Sequence, residues 1–154
     1  MTKVLVYVLD HDYGNGETGV NILGEKCVLR NCNETIENGA KKGDLIFAIG
    51  GRRLGSTKGN AGKYHQKFIY AMKVQEISPP SSNDFCFLGD KAIDAPELPV
   101  ELHNLIFGNN WGGRKAKYID ESHFFKFEKF LEKYGKGKIG EHCDMENKTS
   151  SATC

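Results

Sequence analysis

This chain has little excess charge of either sign. Its 21 Lys and Arg stand against 20 Asp and Glu, a formal net charge of +1 over 154 residues. That balance excludes strong global steering toward nucleic acid, although a base-reading pocket needs only local charge. Long apolar runs are also missing. Nothing approaches the length of a membrane span, so no membrane partner is expected. Met1 to Leu9 is too short an apolar run for a signal peptide. It ends in Asp10-His11-Asp12, where a small-residue cleavage site would be needed. The expected location is the cytoplasm, the host's if the source is a virus. Five cysteines make an odd count, and without a secretory signal reduced thiols are the default. C-x-x-C pairs are absent. Cys27, Cys32, His142 and Cys143 offer the right atoms for zinc, yet their spacing fits buried small thiols better. No metal and no cofactor are expected.

The length suits one domain able to bury a core without disulfides. Residues 1–134 are expected to form it, with 135–154, nearly free of apolar residues, as a disordered tail. Val4 to Leu9 reads as a strand buried on both faces, and Asp10 to Gly24 as a long loop. Glu25 to Arg30 is a short second strand, and Leu45 to Ile49 a third, central one. Gly50 to Lys63 holds five glycines and four basic residues and reads as a mobile surface loop. From Gln66 to Ile77, Phe68, Tyr70, Met72 and Val74 alternate as a half-buried strand requires. Ser78-Pro79-Pro80-Ser81-Ser82 then breaks the chain. Glu97 to Phe107 predicts a helix with Leu98, Leu102, Leu105 and Ile106 on one side and Gly108 as its stop. Asn109 to Lys117 is a second basic glycine loop carrying the single tryptophan, Trp111. Beyond Ser122, helix and strand both fit, and Phe124 and Phe125 are expected to fill the interior. Several strands with two short helices point to an α+β barrel.

Two phosphate-binding motifs are imitated and then fail. Gly14-Asn15-Gly16-Glu17-Thr18-Gly19 matches G-x-G-x-x-G, but β-rich sequence follows where a helix must begin. Gly59-Asn60-Ala61-Gly62-Lys63 imitates a P-loop, yet Thr57 and Tyr64 stand where a glycine and a hydroxyl residue of the Ser/Thr type are required. Backbone N–H groups among Arg52, Arg53, Lys58 and Lys63 still suit a phosphate, as a solvated loop would also allow. Asp10-His11-Asp12 offers carboxylates beside an imidazole, the makings of a general base, or simply a polar strand end.

Some of these strings, taken together, carry a resemblance. They are the strand ending in Asp12-Tyr13-Gly14, Cys27-Val28-Leu29 with Cys32, and Gly43-Asp44 with Gly50-Gly51. Tyr70-Ala71-Met72-Lys73-Val74 and His123-Phe124-Phe125-Lys126-Phe127 complete the set. In this order they resemble the second nucleotide-modification-associated domain family, thought to be related to the PUA, ASCH and EVE barrels. The family commonly has a Pro-rich stretch after Asp-Tyr-Gly, where this chain has Gly16-Glu17-Thr18. The resemblance implies a small PUA-like mixed β-barrel with two or three short helices. It also implies a prokaryotic or bacteriophage setting linked to modified nucleotides.

The expected ligand is a small nucleotide or modified base, with nucleic acid as a further partner and an oligomer compatible with the sequence. Tyr13 and Trp111 would stack on a base, and Arg30, Arg52 and Arg114 would meet phosphate or base edges. Asp10, Gly14, Gly50, Gly51 and His123 complete the candidate ligand contacts. Recognition or sequestration is the leading expectation. The alternative is an enzyme acting on a nucleotide or nucleobase, with Asp12 or His11 as general base.

Overall fold

A computed structural model describes residues 3–9, 20–23, 26–29, 39–51, 65–77, 80–87, 96–108, 116–133 and 137–138. The first strands are β1 (Val4–Leu9), β2 (Val20–Leu23), β3 (Lys26–Leu29), β4 (Leu45–Gly50) and β5 (Phe68–Lys73). β6 (Glu76–Ile77), β7 (Pro80–Ser82) and β8 (Phe85–Phe87) follow. Then come helix α1 (Val100–Phe107), β9 (Ala116–Ile119), a 3₁₀ turn (Glu121–His123), helix α2 (Phe124–Leu131) and β10 (Gly137–Lys138). Among these residues the strands form one sheet in the order β10-β8-β5-β4-β1-β9 and a second in the order β2-β3-β7-β6.

β1 and β4 lie parallel in the interior of the larger sheet, flanked by antiparallel β9 and β5. Both are continuous apolar runs because both of their faces are covered: Val4, Leu5, Val6, Ile46, Phe47, Ala48 and Ile49 are all fully buried. One face meets the helices. Val4, Val6, Phe47, Ile49 and Phe68 form a single core with Leu102 and Ile106 of α1 and Phe127 and Phe130 of α2. Phe47 is at its centre, with ring centroids 4.9 Å from Phe68, 5.0 Å from Phe127 and 5.9 Å from Phe130. The tilted and edge-on angles suit the ring quadrupoles, and such pairs add about 0.5–1.5 kcal/mol each beyond area burial.

The expected barrel is corrected by this architecture. Among the described residues the large sheet is open, ending in β9 and the two-residue β10. A barrel fills its interior with its own inward side chains. Here that space is taken by two helices, so the sheet has no need to curl onto itself. The fold is α+β with a mixed sheet.

Other local expectations shift as well. β2 lies inside the stretch read as loop and pairs with β3 as an antiparallel ladder. Glu76 and Ile77 pair with Ser81 and Pro80, so the chain break at the prolines is a reversal between two short strands. The Phe68–Val74 alternation is interrupted, because Phe68 pairs with Ile49 while Tyr70 pairs with the adjacent Ala48. Ile69 is the extra residue of a bulge, which turns Phe68 and Ala71 toward the helices and leaves Tyr70 and Met72 on the other face. β5 is therefore buried on both faces. Helix wins beyond Ser122, since Phe127 and Phe130 reach the core at helical spacing while Phe125 is left 62% exposed. α1 starts at Val100 behind Pro99 and not at the expected Glu97, which bridges to Lys67 instead, and it stops at Gly108 as expected.

Candidate functional site at the carboxyl ends of the parallel strands

Parallel pairing in register places Leu9 beside Gly50 at the carboxyl ends of β1 and β4. Asp10 follows Leu9 in the chain, so the Asp10-His11-Asp12 string is joined to β1 at the end where Gly50-Gly51 closes β4. Both glycines are buried. The Gly50 N–H donates to the Lys67 carbonyl at 2.9 Å, and the Gln66 N–H donates to the Gly50 carbonyl at 2.8 Å. A parallel bridge sets His65 beside Gly50.

Gln66 carries the unusual backbone of this corner, with φ of 60°. A side chain with a Cβ adopts that left-handed conformation at a cost of about 1–2 kcal/mol. Its two backbone neighbours explain the tolerance: Gly50 fixes the Gln66 N–H, and the Phe68 N–H is held by the Pro96 carbonyl at 3.0 Å. The resulting turn aims the Gln66 side chain at α1, where Oε1 lies 3.1 Å from Nε2 of His103. The tautomer that donates from Nε2 keeps Nδ1 as an acceptor. Phe107 supports the imidazole from one turn along, its ring 4.8 Å from that of His103. His65, Gln66 and His103 are all partly exposed. The corner thus offers two imidazoles and an amide beside a glycine strand end, groups suited to reading the donor and acceptor pattern of a planar polar ring.

The opposite end of the strands is built for stability. The buried Asp44 carboxylate accepts N–H bonds from Lys3 and Lys41, closing the turn that Gly43 makes at φ of 91°. His123 belongs to this end: it stands at the start of α2, four residues after Ile119, which pairs with Val4. Five residue steps separate Val4 from Leu9, roughly 17 Å along the strand. Tyr118 also sits here, its phenol pKa pushed up from 10.0 by burial and secondarily by the negative charge of Asp44.

Of the sequence-derived site residues, then, Gly50 and Gly51 lie at the carboxyl-end corner and His123 at the amino end. Asp10, His11, Asp12, Tyr13, Gly14, Arg30, Arg52, Trp111 and Arg114 lie outside the described residues. His65, Gln66 and His103 were missed by sequence reasoning. His103 was hidden in a helix read only for its apolar stripe, and nothing about a glutamine announces positive φ. Among the described residues no group of three or more His, Cys, Asp or Glu is placed to hold a metal ion.

A family model described as nucleotide modification associated domain 2 matches residues 1–79. The matched span contains β1 to β6, and with them Gly50, His65 and Gln66; α1 and α2 follow it in the chain. No curated protein and no solved structure matches the chain.

Proposed function

We propose that this chain, which belongs to the nucleotide modification associated domain 2 family, binds a nucleotide or modified base at the carboxyl ends of β1 and β4 and holds it unaltered. The observation that carries this reading is the Leu9–Gly50 register. In open α/β sheets ligands collect outside the carboxyl ends of parallel strands, and the parallel β1–β4 pair presents such an end in this mixed sheet. In this reading the Gln66 amide NH2 and the His103 Nδ1 present a donor and an acceptor to a base edge. Asp10, Tyr13 and Arg52 belong in sequence to the segments that follow the two strands. Their proposed roles are a polar contact for Asp10, stacking for Tyr13 and phosphate binding for Arg52. Trp111, Arg114 and Arg30 are further stacking and phosphate contacts. Recognition or sequestration of a modified nucleotide, in a prokaryotic or phage setting, is the role that follows.

The test is direct. Purified protein is incubated with a mixed nucleotide extract, desalted and denatured, and the released molecules are identified by mass spectrometry. A stoichiometric, unaltered nucleotide supports binding. A nucleotide chemically changed from the input would replace binding with catalysis and make Asp12 or His11 the general base to mutate. An empty protein would count against a free-nucleotide ligand.

A further inference from the structure

Between α1 and α2 lies a cavity of about 230 Å³, which none of His65, Gln66 and His103 lines. Leu102 and Phe130 give it an apolar floor, and Lys126, Lys129 and Lys133 stand along one side. Their spacing of three and four residues keeps the lysines on a single face of α2 and the turn that follows it. Lys126 is already engaged, its ammonium 3.0 Å from the Glu101 carboxylate and 6.0 Å from the centre of the Phe125 ring. Lys129 and Lys133 are exposed, and so is Phe125 at the cavity's edge. An exposed lysine or an exposed phenylalanine alone is ordinary surface. A flat ring, a base-sized hollow and a file of ammonium groups together match the parts that hold a single nucleic-acid strand, with rings for bases and cations for the backbone.

The file also has a direction. Phe124 lies under Lys73, which pairs with Leu45 at the start of β4. Phe130 meets Phe68, which pairs with Ile49 near the end of that strand. α2 therefore advances from the amino end toward the carboxyl end, and Lys133 comes last. On α1, Leu102 in the cavity floor is next to His103 at the strand-end corner.

We propose that the α1–α2 groove binds the phosphate backbone and one stacked base of a single-stranded nucleic acid, guiding it toward the strand-end site. The guiding role rests on the function proposed above, whereas the groove's affinity for a strand does not. A net charge of +1 disfavours a broad duplex-binding face, and a short local file of lysines needs no such excess. A hollow of about 230 Å³ is below the size of a drug-sized pocket and fits one ring better than an inserted peptide helix.

The experiment measures anisotropy of a labelled 12-nucleotide DNA strand of mixed sequence, with the full chain, across a salt series. K129Q/K133Q is compared with K41Q/K42Q, which removes the same charge from exposed positions at the amino end of β4. The groove pair is expected to lower affinity on the order of tenfold at 0.1 M salt and to flatten the log–log salt slope by about 1.4. F125A should cost about fivefold or more. K41Q/K42Q should leave the affinity within about twofold, since screening over a Debye length isolates it from the groove. Equal losses from both lysine pairs, no binding of the strand, or equally good competition by an oligoglutamate peptide would overturn the groove. The nucleotide extract experiment separates the two readings. Lysine-dependent strand binding with no captured nucleotide keeps the groove and sinks the strand-end pocket, and the reverse pattern sinks the groove alone.

Discussion

The Asp44 carboxylate reaches across 41 positions in sequence to accept the backbone N–H of Lys3 at 3.0 Å. Its second oxygen takes the Lys41 N–H at 2.9 Å, and its own carbonyl accepts from Val74 at 2.8 Å. One side chain thus joins the approach to β1 with the turn into β4, while its backbone holds the end of β5. The Gly43-Asp44 string that helped identify the family is a structural clamp at the end of the sheet opposite the proposed site.

Asp44→Ala should lower folding stability by roughly 2–4 kcal/mol, because two N–H groups lose a charged acceptor in a buried setting. A urea titration checks this. Nucleotide retained per folded molecule should not change. If stability held and retention fell, Asp44 would be a ligand contact and not a clamp.

Phe47→Ala should be more damaging, about 3–5 kcal/mol, since it removes the ring that Phe68, Phe127 and Phe130 all touch. Phe125→Ala should stay within about 0.5 kcal/mol, because its side chain is exposed. The contrast is readable in a pair of denaturant midpoints.

Gln66→Gly sets two effects against each other. Relief of the left-handed backbone is worth about 1–2 kcal/mol, and loss of the bond to His103 costs about 0.5–1.5 kcal/mol. Stability should therefore change little while nucleotide retention falls. Retention equal to that of the parent chain would remove Gln66 from the site.

Alkaline stability should depend on Tyr118. Burial, helped by the Asp44 charge, raises its pKa from 10.0, so the native chain holds this proton more tightly than the unfolded one. The stabilisation is complete below pH 10 and disappears as pH climbs through the raised value. Urea midpoints of the parent chain and Tyr118→Phe should run parallel below pH 10 and diverge above it, with the parent falling faster. Parallel curves throughout would show that the phenol titrates alike in both states.

Much of the frame was readable in advance. β1 and β4 announce themselves as apolar runs, because strands covered on both faces have no polar side to display. α1 was legible in its Leu102–Ile106 stripe and its Gly108 stop. α2 needed arbitration, since Phe124 to Phe130 suits either period until a partner surface exists. The bulge at Ile69 left no mark, because every residue from Phe68 to Met72 is apolar and either face would accept it. The site was legible in part. Glycine strings can be seen in one dimension, but a glutamine held at positive φ by Gly50 and facing His103 cannot.

The sequence by itself determined which segments must be buried and which cannot be, since transfer of apolar side chains from water is a property of the residues alone. It also carried the family, through short strings in a fixed order. Only tertiary structure decided that β1 and β4 run parallel, that two helices take the space a barrel would enclose, and that Gln66 meets His103. Those outcomes depend on pairing and packing between segments tens of residues apart. Local sequence constrains such contacts weakly, because each strand would satisfy its own burial in more than one partnership.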